Sequence, residues 1–160
     1  MSDLTEIRLA GVSDATMLAV MSRDLVELGL GWSWTRSRIV RHVKSPDSVV
    51  VVAARKNRIA AFAIMRFGQE EAHLDLLAVR PQFRRAGLGR RLMEWLEKSA
   101  VVAGISVIYL EVRENNKEAL AFYKRLGYRR VTRLSGYYRG RESAICMGRD
   151  LWSSALSEAT

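Results

Sequence analysis

At 160 residues, 49% hydrophobic and 27% charged, the chain has the size and composition of one soluble globular domain, residues 1–160, able to bury its own core. No apolar run approaches the ~20 residues that would span a bilayer, and the opening "MSDLTEIRLA" lacks the basic and apolar parts of a secretory signal, so a cytoplasmic location is expected. A single cysteine, Cys146, excludes an internal disulfide, and a formal net charge of +9 favours anionic partners without choosing among nucleic acid, lipid and small polyanions.

In chain order, "TEIRLA" alternates and predicts a strand. Ser13 is placed to cap a helix through "DATMLAVMSRDLVELG", with Gly29 as its stop. "SWTRSRIVRHVKS" predicts a second, short helix. Pro46 and Asp47 turn the chain into "SVVVVAARKN"; Asn57 turns it again into "RIAAFAIMRFG", and "AHLDLLAV" is the third strand of this meander. After Pro81, the positions Leu88, Leu92, Trp95, Leu96 and Ser99 share one helical face, so a helix runs to about Ala103 and Gly104 ends it. "SVIYLEVR" is a buried strand, "NKEALAFYKRLG" a short helix closed by Gly127, and "YRRVTRLSGYY" with "ESAICMGRDL" a final strand pair. The order is β-α-α-β-β-β-α-β-α-β-β. The strand–helix–strand unit from "LLAV" to "LEVR" implies one parallel pair, and the other neighbours are antiparallel. The fold class is therefore mixed α/β: a mainly antiparallel sheet of six to seven strands with helices on both faces.

The segment "VRPQFRRAGLGRR" concentrates cations around two glycines at a helix start. A helix N-terminus presents about four unpaired N–H groups and roughly half a positive charge. Gly87 and Gly89 let an anion approach that backbone closely, and Arg84, Arg85, Arg90 and Arg91 surround it. The pattern is neither G-x-x-x-x-G-K-[ST] nor G-x-G-x-x-G, whose third glycine would fall on Leu92. It is R-x-x-G-x-G after a strand and a proline.

On that arrangement the chain resembles the GCN5-related N-acetyltransferase family. "LLAVRPQFRRAGLGRRLMEWL" is similar to the family's cofactor motif, and "LEVRENNKEALAFYKRLGY" to its second block, with N-x-x-A-x-x-x-Y at Asn116, Ala119 and Tyr123. "LEVR", "ALAFYKRLGY" and "YYRGRESAICM" are similar to segments of the ribosomal-protein alanine N-acetyltransferases, which act on a protein's α-amine; "GLGWSWTRSRIVRHVKS" is not. The resemblance implies acetyl-coenzyme A as cofactor. Its pyrophosphate would lie on Arg84, Arg85, Ala86, Gly87, Leu88, Gly89 and Arg90, and its pantetheine along free backbone groups of Leu77, Ala78 and Val79, where the strand splays from "YLEVR". Asn116, Ala119 and Tyr123 would also contact it.

Amine acetylation needs a neutral amine and a proton for the departing thiolate. An α-amine of pKa about 7.7–8.0 is often neutral near pH 7, while a lysine at about 10.4 is not. The resemblance implies Glu111 as the base that takes the amine's proton, directly or through water, and Tyr123 as the acid. A strand-end carboxylate paired with Arg113 and a core tyrosine are the structural alternatives. Trp32 and Trp34 either line the acceptor groove or plug the core. Tyr137 and Tyr138 lie in the last hairpin, where the resembling subfamily contacts its peptide, and alternation sends one of them inward. Asp24, Glu27 and Asp47 are the acids that a groove for cationic amines could draw on. His73 and Asp75 are expected on an exposed strand face. With His42 and Cys146 elsewhere, no metal-ligand cluster is expected.

The expected function is acetyl-CoA-dependent transfer of acetyl to an amine, a protein N-terminus first. The alternatives are a small-molecule amine acceptor and, from another class, a basic nucleic-acid-binding module using "RIVRHVK" and "YRRVTR". Expected partners are acetyl-CoA and the amine acceptor, with no membrane, no specific nucleic acid, and a monomer or homodimer.

Overall fold

The computed structural model describes residues 4–152; residues 1–3 and 153–160 of the expected domain lie outside them. The elements are β1 (Thr5–Leu9), α1 (Ala15–Leu25), α2 (Arg36–Lys44), β2 (Ser48–Arg55), β3 (Arg58–Phe67), β4 (Glu71–Val79), α3 (Leu88–Val102), β5 (Val107–Arg113), α4 (Lys117–Arg125), β6 (Arg129–Tyr138) and β7 (Glu142–Asp150). This is the expected order, with short 3-10 turns added at Val12–Asp14 and Pro81–Ala86. The strands form a seven-stranded sheet in the order β1-β2-β3-β4-β5-β7-β6. Contacts divide the chain into two units, one running to Arg66 and resuming over Leu74–Lys98, the other made of Phe67–His73 and the chain from Ser99 onward.

In the first unit β1, β2 and β3 pair antiparallel, with Leu9 opposite Val51 and Val52 opposite Phe62. Lys56 and Asn57 both have positive φ, the backbone that a tight hairpin turn needs. The run "VVVVAA" is buried on both faces, which explains why it does not alternate. The core gathers Leu18, Met21, Trp34, Ile39, Val50, Val52, Phe62, Ile64 and Leu76. From α3 this unit also buries Leu88, Leu92, Met93 and Leu96, while the expected face residue Trp95 is only half-buried.

Two local expectations for α1 are corrected. Ser13 does not cap it. Asp14 organises the entry instead, accepting the Gly11 N–H at 2.8 Å and pairing with Arg8 at 2.9 Å. Nor does the helix reach Gly29; it ends at Leu25. The cause is Glu27, whose buried carboxylate accepts the Ser22 hydroxyl at 2.9 Å, the Ser33 N–H at 2.7 Å and the Trp34 N–H at 3.3 Å. It holds the backbone of the following loop from inside, where a helix would have carried it away.

In the second unit β5 pairs antiparallel with β7, which lies between β5 and the edge strand β6. The start of β4 pairs in parallel with β5 through Glu71–Val107, Ala72–Ile108 and His73–Tyr109. The register runs no further, so Leu77, Ala78 and Val79 lie beyond its last pair. Asn116 caps α4 by accepting the Ala119 N–H at 3.1 Å. Gly127, at φ +100°, closes the helix as expected, with Tyr128 N–H returning to the Tyr123 carbonyl at 3.0 Å.

Candidate active site

The glycine turn forms the head of α3. Gly87 sits at φ +73°, a left-handed backbone that glycine adopts without strain. A Cβ built there would meet nothing within 4 Å, so the turn faces open space. The first intrahelical hydrogen bond is Arg91 N–H to the Gly87 carbonyl at 3.1 Å. The N–H groups of Leu88, Gly89 and Arg90 therefore have no intrahelical acceptor. Arg84, Arg85, Ala86, Gly87 and Arg90 are exposed; Leu88 and Gly89 are buried, so Leu88 anchors the turn rather than offering its side chain. Arg90 also pairs with Glu94 one turn along at 3.0 Å. Open backbone, unpaired donors and cations together fit a phosphate-bearing ligand.

On β5, Glu111 belongs to the half-buried face, alternating with buried Leu110 and Val112. Arg113, two residues on, lies 3.7 Å from Glu142. His73 Nε2 lies 2.7 Å from Glu111 Oε1 and 2.9 Å from Oε2, and the Tyr137 hydroxyl donates to Oε1 at 2.9 Å. His73 and Asp75 are not on an exposed face. The His73 side chain is 29% exposed and turned onto Glu111, and that of Asp75 is 6% exposed and bound by Arg66 at 2.7 Å. The link to Glu111 is absent from the sequence reading. The signal for it was the register, since His73 opposes Tyr109 and Glu111 follows two residues later on the same face.

Glu111 carries charge that its neighbours register. Cys146 opposes it in the β5–β7 register, and burial, then the Glu111 carboxylate, push the Cys146 thiol up. A thiol held protonated in this way is a poor nucleophile. Tyr123 is buried on α4 against Phe122 and Tyr128, with ring centroids 5.0 and 5.7 Å away. Burial first, then Tyr138, pushes its phenol well above the usual tyrosine value, so it is protonated throughout the neutral range. Tyr137 is the exposed member of its pair and Tyr138 the half-buried one, with rings edge to face at 4.9 Å.

The two tryptophans separate. Trp34 is buried in the first unit's core, under the Arg38 guanidinium at 3.7 Å. Trp32 is 44% exposed and its indole N–H donates to the carbonyls of Ala19 and Trp34 at 3.1 Å each. Of the candidate groove acids, Glu27 is consumed inside the loop and Asp24 pairs with Arg23 at 2.9 Å. Among the described residues no group of three or more His, Cys, Asp or Glu side chains could hold a metal ion. Among them, too, no helix is long and apolar enough to cross a membrane.

Comparison with known proteins follows the same lines. The family model described as "Acetyltransferase (GNAT) family" matches residues 19–128, more than half of the chain. A [ribosomal protein bS18]-alanine N-acetyltransferase of Salmonella typhimurium strain LT2 is 43% identical over 94 residues, which are 57% of this chain and 64% of that protein. The matched stretch thus spans less than two thirds of that relative. An N-alpha-acetyltransferase of Sulfurisphaera tokodaii is 27% identical over 158 residues, 91% of this chain and 92% of that one. The crystal structure of the ribosomal-protein-S18-alanine N-acetyltransferase from Escherichia coli superposes with a TM-score of 0.81 at 28% identity, covering 92% of this chain and 94% of that one.

Proposed function

The chain belongs to the GNAT acetyltransferase family, and on that premise we propose that it is an acetyl-CoA-dependent N-acetyltransferase whose acceptor is a protein N-terminal α-amine. The observation that carries this reading is the glycine turn at the head of α3, where the open side of Gly87, the unpaired N–H groups that follow and exposed Arg84, Arg85 and Arg90 suit a pyrophosphate. Leu77, Ala78 and Val79, past the last β4–β5 pair, are the backbone stretch for the pantetheine chain. Asn116, Ala119 and Tyr123 complete the cofactor contacts. Bound acetyl-CoA supplies the acetyl thioester and leaves as the thiol.

The protein's own groups handle the protons. Glu111 takes the proton that the amine loses as its nitrogen bonds to the acetyl carbon, directly or through one water. Tyr123, kept protonated by burial, donates to the sulfur as the carbon–sulfur bond breaks. An α-amine asks little of such a base, because deprotonating it at pH 7 costs about 1 kcal/mol against about 4–5 for a lysine. Tyr137 and Tyr138 serve as acceptor contacts, with Trp32 the more available of the two tryptophans. The names of the relatives act in the same direction, one for a ribosomal-protein alanine and one for α-amines generally. Of the acids that a small cationic amine could draw on, Glu27 and Asp24 are already engaged. One acetyltransferase domain is supported by the family match, which runs through residues of both units. A reducing cytosol suits a lone, protonated Cys146.

The deciding experiment follows free-thiol release from acetyl-CoA with three acceptor sets: peptides with free N-termini, the same peptides N-blocked but lysine-bearing, and small amines. Turnover confined to free N-termini is expected. Turnover confined to small amines would replace the reading.

A further inference from the structure

Glu111 is held from two sides by groups of different character. His73 comes from the last pair of the parallel β4–β5 ladder, where backbone hydrogen bonding fixes its Cα. Its Nε2 is shared by both carboxylate oxygens, at 2.7 and 2.9 Å. Tyr137 comes from the edge strand β6, inside the stretch between Leu134 and Tyr138 where the register with β7 shifts. Tyr137 is 48% exposed, and its hydroxyl takes a position on Oε1. An ionised carboxylate has about four lone-pair positions, so it can keep one donor while exchanging another.

We propose that His73 is the positioning residue of the proton-accepting carboxylate, staying on Glu111 through the reaction, while the Tyr137 hydroxyl holds the place that the acceptor amine takes. This rests on the reading of Glu111 as the base. A carboxylate free to rotate would present its oxygens to the amine only part of the time; the shared Nε2 donor fixes the plane of both oxygens. The exchange of donors is conservative: the Tyr137 O–H leaves Oε1, an amine N–H replaces it, and that proton then passes to the carboxylate as the C–N bond forms. The other groups facing Glu111 do not compete for the role. Cys146 on β7 and Tyr138 on β6 are both raised by burial and by the Glu111 charge, and so remain neutral, and Arg113 on β5 lies 3.7 Å from Glu142.

The test compares steady-state kinetics of H73Q, H73L, Y137F and E111Q, with a free N-terminal peptide and acetyl-CoA. H73Q keeps a donor near the Nε2 position and should hold kcat within about threefold. H73L should lose at least tenfold in kcat at unchanged KM for acetyl-CoA, and should lose nothing more when added to E111Q. Y137F should shift the acceptor KM at least threefold and lose far less kcat than H73L. Wild-type kcat in H73L, or equal losses in H73L and H73Q, would overturn the positioning role. A loss of kcat in Y137F as large as that in H73L would overturn the division between the two donors. Wild-type kcat in E111Q would instead remove the base reading, and the proposal with it.

Discussion

In the proposed mechanism Glu111 and Tyr123 carry the chemistry, and their settings predict different signatures. Replacing Glu111 with glutamine should lower kcat about a hundredfold, the usual contribution of a general base, without altering coenzyme A affinity in calorimetry. Tyr123→Phe should lower kcat by a similar factor. Because burial raises the Tyr123 phenol above its ordinary value, the wild-type rate should show no fall attributable to it up to about pH 10, the ordinary tyrosine pKa; a clear fall in kcat between pH 8 and 10 would contradict that assignment. Asp14 supplies a stability prediction. The Arg8 guanidinium lowers its carboxyl below the usual value. A group depressed in the folded state stabilises the fold above its unfolded pKa, about 3.9, and loses that contribution as pH falls through the folded value. Asp14→Asn should therefore melt lower than wild type at pH 7, and the gap should close below about pH 4. At this scale the sequence disclosed residue types but not partners. The carboxylate at Glu111 was legible from the "LEVR" block, whereas its pairing with His73, 38 positions away, depends on strand register.

Elements were legible where local chemistry is self-sufficient. Asn116 and Gly127 delimit α4 because a capping amide and a left-handed glycine act within one turn. The end of α1 was not legible, because what stops it is a buried carboxylate collecting donors from residues that follow it. Glu27→Ala should strand the Ser33 and Trp34 N–H groups and cost about 1–3 kcal/mol, measurable by urea unfolding. Glycine at position 87 is favoured by the left-handed backbone and, in the proposed cofactor site, by access. Gly87→Val should weaken coenzyme A binding at least tenfold in calorimetry. The left-handed backbone adds about 1–2 kcal/mol of strain, so the fold should survive. Unchanged affinity would remove the turn from the cofactor site.

For the molecule as a whole, the charge of +9 suited several partners, and the cations prove to have several occupations. Arg8, Arg66 and Arg133 are paired with carboxylates, Arg38 covers Trp34, and the exposed arginines of the glycine turn suit a phosphate. Specific nucleic-acid binding should therefore be absent: any association with RNA at low salt should vanish by physiological ionic strength, as non-specific phosphate contacts do.

The sequence by itself determined the element order, the mixed sheet and the glycine turn, because periodicity, caps and glycine placement are local properties of the chain, and its motifs carried the resemblance to the family. Tertiary structure alone decided which carboxylates are available. It buried Glu27 under donors, paired Asp75 with Arg66, and turned His73 and Tyr137 onto Glu111. Those outcomes follow from register and burial, which bring distant residues within hydrogen-bonding reach and leave no trace in local spacing.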